Sequence, residues 1–577
     1  MQQFGRRGSL DGQRLGRIAL WSATAIAVWF GWREFWFLTD DAFIAFRYVS
    51  NAVNGIGLIW NPPPFVPVEG YTSFLWIVIL EWLWRLADTP PPAIANGLSL
   101  LFGYATLWVG SRTLYRMGLP EPLCRHRTLL LALVLLGTIS NRTFLAWLSS
   151  GLETSLFNFL LISWVHLGLT PADDRGAWWR LLFSATTALA ALARPDGLLL
   201  CFAWMAITML EWTRTSGLFG YREQASQPQR PRGTSRGLLY AAPIAIVPIH
   251  FLWRYTTYHA WLPNTYYAKH IAAWPESGWR YLASFIVEYG LTIWVAIALA
   301  VLAQWVSHAP RNLSWPRVRS ALIERGPAWI TLGTLAGHTL YYTFAIGGDH
   351  FEYRVYSHLI LLSLLSLPWL SGRLSPRPRF AVCALLLLIA MSWPIPWTHW
   401  WHTRDLDTRD DTFKLALAVS PLLPAPFSWI AEPWDEWQEW LILHSVCRRH
   451  QEHKVFYTTQ KDWYPSREVG ARIPWEYRRL LAVKTVGVPG WVFPNVAILD
   501  ELGLNDRVIA HNTPAHPDHR LMAHDREAPE GYVECFGPNI TVNRGRIHVL
   551  KDIPYLTDER ITECESRFWN PIAHREK

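Results

Sequence analysis

The sequence predicts an all-α polytopic membrane protein that ends in a small extracytoplasmic domain of α/β or α+β type. Three observations predict it. Apolar runs long enough to cross a bilayer core as helices recur from Arg17 to about Trp397 and then stop. The 577 residues are 51% hydrophobic and 17% charged, yet the mean hydropathy is only +0.09, which is what a membrane part averaged with a soluble part produces. Arginines gather in the short loops between the apolar runs, so the net charge of +8 reports membrane topology and gives no reason to invoke nucleic acid.

The basic start MQQFGRRGSLDGQRLGR precedes an apolar run with no small-residue cleavage site, which predicts a retained first span with its N-terminus in the cytoplasm. Asp40 and Asp41 then emerge on the opposite side and open a long outer loop from Thr39 to Pro92. Inside that loop, Ser73 to Leu86 is too short for a span and contains Glu81, so an interfacial or re-entrant helix is expected. The four arginines between Arg112 and Arg127 belong in the cytoplasm, which makes Ala93 to Gly110 the next crossing. Arg-rich loops at Thr213 to Gly237, His308 to Gly326 and Ser371 to Pro378 continue the alternation and give about eleven spans.

The expected division is a transmembrane module over 1–397 and an extracytoplasmic domain over 398–577, of a size usual for one domain. In the latter, KVFYTT, LLAVKTVGV, VAILD and ITVNRGRIHVL read as short β-rich runs. Six cysteines show no metal-type spacing; Cys535 and Cys564 can pair in an oxidising compartment, which leaves Cys447 unpaired.

The outward side collects the polar residues that apolar spans have little reason to keep. They include Asp40, Asp41, Arg47, Glu69, Glu153, Arg194 and Asp196, together with Asn264, Tyr266, Tyr267, Lys269 and His270 of LPNTYYAKH, and Asp349, His350 and Arg354 of GGDHFEYR. Ionised groups are costly in hydrocarbon, so their convergence predicts one polar cavity. Carboxylates beside Arg, Lys and His suit a substrate with an anionic head and a hydroxyl to activate, and a lipid-linked sugar phosphate meets both needs.

Several of these residues have structural readings as well. Arg47 can contact phosphate or neutralise the acidic pair, and Glu69 can shape the pocket or hold the proline-rich turn before it. Glu153 can meet substrate or stabilise a helix N-terminus. Arg194 and Asp196 read best as a pair in a turn, and His511, His516, His519 and His524 as loop histidines with no metal spacing. No cofactor motif is present, and nothing in the residues indicates a divalent metal.

The ordered blocks TDDAFIAFRY, NGIGLIWNP, VEGYTSFLW, SGLETSLFNFLL, ARPDGLLL, LPNTYYAK, GGDHFEYRVY and VAILDELGLNDRVIAH resemble those of the multispan GT-C glycosyltransferases of the terminal arabinofuranosyltransferase type and of flagellar motor control-like proteins. The resemblance runs from about Leu38 to Tyr532, and the ordered set is what makes it specific. It implies bundled transmembrane helices with juxtamembrane helices in the first outer loop. It also implies a polyprenyl-phosphate donor, such as decaprenyl-phosphoryl arabinofuranose, and transfer to a cell-envelope glycan, lipid or protein outside the cytoplasmic membrane.

Carried onto this sequence, the resemblance makes Asp40 and Asp41 the catalytic acidic pair and favours Asp40 as the catalytic carboxylate. Glu69 matches the acid of the VEGYT block, and Lys269 and Arg354 match basic positions near the donor phosphate; from their place among the outward polar residues, Arg47 and His270 are added as phosphate contacts and Tyr71, Glu153, Asn264, Tyr266, Tyr267, Asp349 and His350, with Glu69, as the pocket lining. GGDHFEYR departs from the shorter, Met-Pro-containing block of many relatives, which leaves the roles of His350 and Glu352 open. Two other functions fit the same features: a non-catalytic envelope or flagellar assembly factor, and a transporter of lipid-linked sugars, although no internal repeat supports the last.

Overall fold

Helices carry most of the chain in a computed structural model that describes residues 2–216, 240–269, 271–308, 315–512 and 520–569. The first helix, α1 (Gln2–Glu34), ends just before the acidic pair. Phe37 to Thr39 then exchange main-chain hydrogen bonds with Ser150, and the chain turns into α2 (Asp40–Val53). That contact requires a left-handed turn at Ser150 (φ 79°) and Gly151 (φ 78°). A Cβ on Gly151 would lie 2.8 Å from both Ala42 and Leu38, so glycine permits the close approach. The turn is fixed from the other side, where the Trp76 indole donates to the Gly151 carbonyl and the Asn96 side chain accepts from the Gly151 N–H.

The helix α3 (Phe74–Ala87) has 14 residues, about 21 Å at 1.5 Å per residue, which is short of a bilayer core as the sequence led one to expect. α4 (Pro91–Arg116) follows and is long enough to cross. By length and composition, four helices among the described residues qualify as spans: Pro91–Arg116, Pro195–Arg214, Arg354–Leu374 and Pro378–Thr403. The pair Pro275–Glu288 and Thr292–Ser307, bent by 98°, makes a fifth if it is one broken span. The protein is therefore a multi-pass membrane protein, and among the described residues this measure counts four or five spans beside the eleven or so expected. Apolar helices such as Arg127–Ile139 and Thr154–Gly168 end before they are long enough to count.

The C-terminal segment contains two small sheets. β1 (Leu480–Val483) pairs parallel with β2 (Ala497–Asp500). β3 (Ile540–Asn543) and β4 (Arg546–Val549) form an antiparallel hairpin whose turn residues Arg544 and Gly545 both have positive φ, the geometry that matches strand twist. The expectation of a strand at KVFYTT is corrected, because these residues lie inside the helix His450–Trp463. Their β-branched and aromatic content is overridden by packing that encloses the first turn of this helix, His450 to His453, and buries Val455. The run TVGV likewise leads into the helix Gly487–Val492 and adds no strand.

This segment does not stand apart from the rest of the molecule. Phe43, Phe46 and Tyr48 of α2 share one core with Trp491, Phe493, Val496 and Ile498, and the helix Pro394–Thr403 runs straight across position 397. Cys535 and Cys564 form a disulfide, while Cys447 is a buried free thiol.

Candidate active site

Twelve of the fourteen residues of α2 are buried, because the helix is enclosed between the membrane module and the C-terminal segment. Adjacent residues on a helix point about 100° apart, so the two acids at its start meet different surroundings. The Asp40 carboxylate turns toward the C-terminal segment and accepts from the Gly487 N–H (3.0 Å) and the Val488 N–H (2.8 Å). Burial pushes Asp40 up to about 7, with these two N–H bonds pulling the other way. Asp41 is half-buried, and no protein hydrogen bond to its carboxylate occurs among the described residues. Its charge bears on His453 and His524.

About two turns further along α2, Arg47 is fully enclosed. Its five N–H donors go to the carbonyls of Trp60, Gly490, Phe493 and Val496 and to the Asn61 side chain, so the guanidinium ties α2 to the C-terminal segment and has no donor left for a phosphate.

The polar groups around Asp41 are assembled by a main-chain seam. The N–H groups of Cys447 and Arg448 donate to the carbonyls of Asp349 and His350, and the Glu352 N–H donates back to Arg448. Behind the seam lies a fully buried cage in which Glu288 and Glu352 both contact Arg142 and Arg449. His450 anchors on Glu352 through its N–H and its ring. The helix His450–Trp463 therefore starts from a fixed point, and His453, one turn along, is delivered beside Phe351 and His350.

On the same side, Arg354 makes a two-point ion pair with Asp349 (2.8 and 3.1 Å) and lies over the Phe351 ring. Arg194 joins Asp196 (3.0 Å), as expected of a turn pair, and also Glu153 (2.9 Å) and the Tyr342 hydroxyl. Lys269 is close enough for its charge to act on His524. Asp41, Glu153, Lys269, Asp349, His350 and Arg354 thus gather in one polar region. His270 lies outside the described residues.

Three further pocket candidates sit in a second buried patch. Glu69 pairs with Arg254 (2.5 and 3.2 Å), and Tyr71 meets the Tyr258 hydroxyl at 3.2 Å. The Asn264 amide donates to the carbonyls of Gly503, Leu504 and Asp506, while its own N–H donates to Glu69. There the VEGYT, LPNTYYAK and LGLND blocks hold one another in place. Tyr267 stacks on His511 at 4.5 Å, and Tyr266 packs edge-on against Tyr267.

Residue spacing did not single out His453, and it assigned His524 to an ordinary loop. The one local hint was His450 and His453 three apart, which places both on one helical face. Among the described residues no group of three or more His, Cys, Asp or Glu is arranged to hold a metal ion.

No family model matches the chain. Over 302 residues it is 28% identical to the "Terminal beta-(1->2)-arabinofuranosyltransferase" of Mycobacterium tuberculosis (strain ATCC 25618 / H37Rv), a match covering 49% of this chain. The chain resembles a terminal arabinofuranosyltransferase. The match spans 43% of that transferase's own length, so less than half of it is represented here. Among solved structures, ArnT from Cupriavidus metallidurans bound to undecaprenyl phosphate superposes with a TM-score of 0.47 at 14% identity, covering 85% of this chain and 88% of that one. The apo form of ArnT gives 0.47 and 14% over 88% and 89% of the two chains.

Proposed function

We propose that this protein is a GT-C-type membrane glycosyltransferase that moves a sugar, arabinofuranose, from a polyprenyl phosphate to a cell-envelope glycan or glycoprotein. In this reading the protein sits in the cytoplasmic membrane, with residues 1–397 as the catalytic module and 398–577 as an extracytoplasmic domain that closes over the site. The disulfide between Cys535 and Cys564 supports an oxidising compartment for that segment.

The observation that carries the proposal is the asymmetry of the acidic pair. Asp40 spends its carboxylate on two N–H groups of the C-terminal segment, while Asp41 faces a region of imidazoles and cations. Asp41 is the carboxylate that meets the acceptor hydroxyl, and Asp40 positions it, although the family pattern favours Asp40. Arg354 and Lys269 supply positive charge for the phosphate that leaves. If the sugar inverts, Asp41 acts as general base; if the configuration is retained, the same carboxylate stabilises the oxocarbenium ion or attacks it.

The test is transfer from synthetic polyprenyl-phosphoryl arabinofuranose to candidate acceptors by the purified full-length chain, with Asp41→Asn and Asp40→Asn alongside. Loss of product in Asp41→Asn is the expected result. Unchanged product in both variants removes the acidic pair from the mechanism, and full complementation of growth or motility by both, with no transfer from any donor, favours an assembly factor.

A further inference from the structure

Three imidazoles stand in a row beside Asp41. His453 is buried at 7% exposure, and its Nε2 is shut off from solvent with no hydrogen-bond partner among the described residues. An unpartnered polar atom in that position has a cost, so it calls for a function. The His453 ring lies 5.4 Å from that of His350, which lies 5.1 Å from that of His524. Burial decreases along the row: His350 is intermediate and His524 is exposed.

The tautomers follow from the backbone. Nδ1 of His350 is 2.8 Å from the Ser445 carbonyl oxygen, and Nδ1 of His524 is 2.8 Å from that of Met522. A carbonyl only accepts, so each Nδ1 carries the proton and each Nε2 presents a lone pair.

The charged groups facing the row keep it neutral at rest. His453 is faced by Asp41 and Glu452, which favour protonation, and by Arg448 and Arg354, which oppose it. His350 has Arg448 and the other two imidazoles as neighbours, and His524 has Lys269 and Arg448 against Asp41. Burial tips the balance for His453, which is held down to about 4.

We infer that His453, His350 and His524 relay to solvent the proton that Asp41 removes from the acceptor hydroxyl, an inference that rests on the glycosyl-transfer reading in its inverting form. The acceptor O–H bond breaks and its proton goes to the Asp41 carboxylate. The acceptor oxygen bonds to the anomeric carbon as the bond from that carbon to the phosphate oxygen breaks, and the electron pair leaves on the polyprenyl phosphate. The proton then passes from Asp41 to the His453 ring and on to the Nε2 lone pairs of His350 and His524, directly or through bridging water, and emerges at His524. Asp41 returns to its carboxylate form for the next turnover. The three histidines act through Asp41 and do not touch the reacting atoms.

The experiment uses the full chain in nanodiscs. His453→Ala and His524→Ala are compared with wild type and Asp41→Asn for turnover, KM for the donor, pH profile and restoration by free imidazole. The relay predicts turnover lowered about tenfold or more in His453→Ala, an unchanged KM, and partial restoration by imidazole. Wild-type turnover in both His variants, or a loss that imidazole does not restore in folded protein, overturns the relay and leaves the transfer reading standing. Wild-type turnover in Asp41→Asn removes Asp41 as the base and overturns the relay with it, whereas the absence of transfer by the wild-type chain from any donor is what overturns the transfer reading. A second measurement needs no turnover: histidine 15N titrations in wild type and Asp41→Asn. Removal of the Asp41 charge lowers the ionisation of His453 and His524 if they are coupled, and unmoved values overturn the relay whatever the activity shows.

Discussion

The Gly487 N–H lies 3.0 Å from the Asp40 carboxylate, and a Cβ built on Gly487 would stand 1.9 Å from the Asp40 carbonyl oxygen. Glycine is therefore required there by space, because its φ is not in the left-handed region. Gly487→Ala is expected to push the C-terminal segment off the start of α2, at a cost of about 1–3 kcal/mol and with transfer activity lowered more than about tenfold. Thermal unfolding and a transfer assay on the same preparation check it.

Glu565 gives a pH dependence whose sign can be stated. Its carboxylate accepts from the Val66 N–H, and burial together with the Asp506 charge pushes it up to about 8. A carboxyl raised in the fold binds its proton more tightly than in the unfolded chain, so the stability it contributes is present at low pH and lost as pH rises through 8. Asp500 and Asp506, each raised to about 6, act in the same direction at lower pH. Asp40, raised to about 7, acts in the same direction and still titrates just above pH 7.5, so the comparison with Glu565→Gln is what isolates Glu565. Thermal midpoints are expected to fall from pH 7.5 to 9 in wild type, and to fall less in Glu565→Gln, which keeps an acceptor for Val66 without titrating.

The cage of Arg142, Arg449, Glu288 and Glu352 is balanced in charge and fully buried. Arg449→Met leaves an excess buried carboxylate and is expected to cost about 3–5 kcal/mol. Adding Glu288→Gln removes the excess and should recover much of that loss. A double-mutant cycle on folded yield and thermal midpoint in detergent reads the coupling.

Removal of the disulfide by Cys535→Ser opens a link across 29 residues, with an expected loss of about 3 kcal/mol. The effect should centre on the helix Asp558–Phe568, which carries both Cys564 and Glu565. Protease susceptibility of that helix, with and without reductant, is the measurement.

Some of this was legible in the residues and some was not, for physical reasons. A carboxylate pair where an apolar run ends stands out because charge at the edge of hydrocarbon is costly, which is why Asp40 and Asp41 are the first candidates the residues offer. Which of the two faces the pocket depends on a rotation of about 100° between neighbours and on what packs against each, and adjacent letters carry neither. Arg47 lay in the right place in the chain, but its donors are consumed by carbonyls contributed from positions 490 to 496 and from Trp60, which no local pattern reveals. His453 was missed because a main-chain seam delivers it, and KVFYTT was misread because tertiary packing overrode its strand propensity.

That seam has a consequence for how the protein can change over time. The bonds joining Asp349, His350 and Glu352 to Cys447 and Arg448 are made by peptide groups, which every residue except proline carries in full. Side chains that project from it, Glu352 of the buried cage excepted, can be exchanged without removing these bonds. A lineage built on this scaffold is free to vary the remaining letters of the seam one at a time, with the backbone contact between its two segments held throughout.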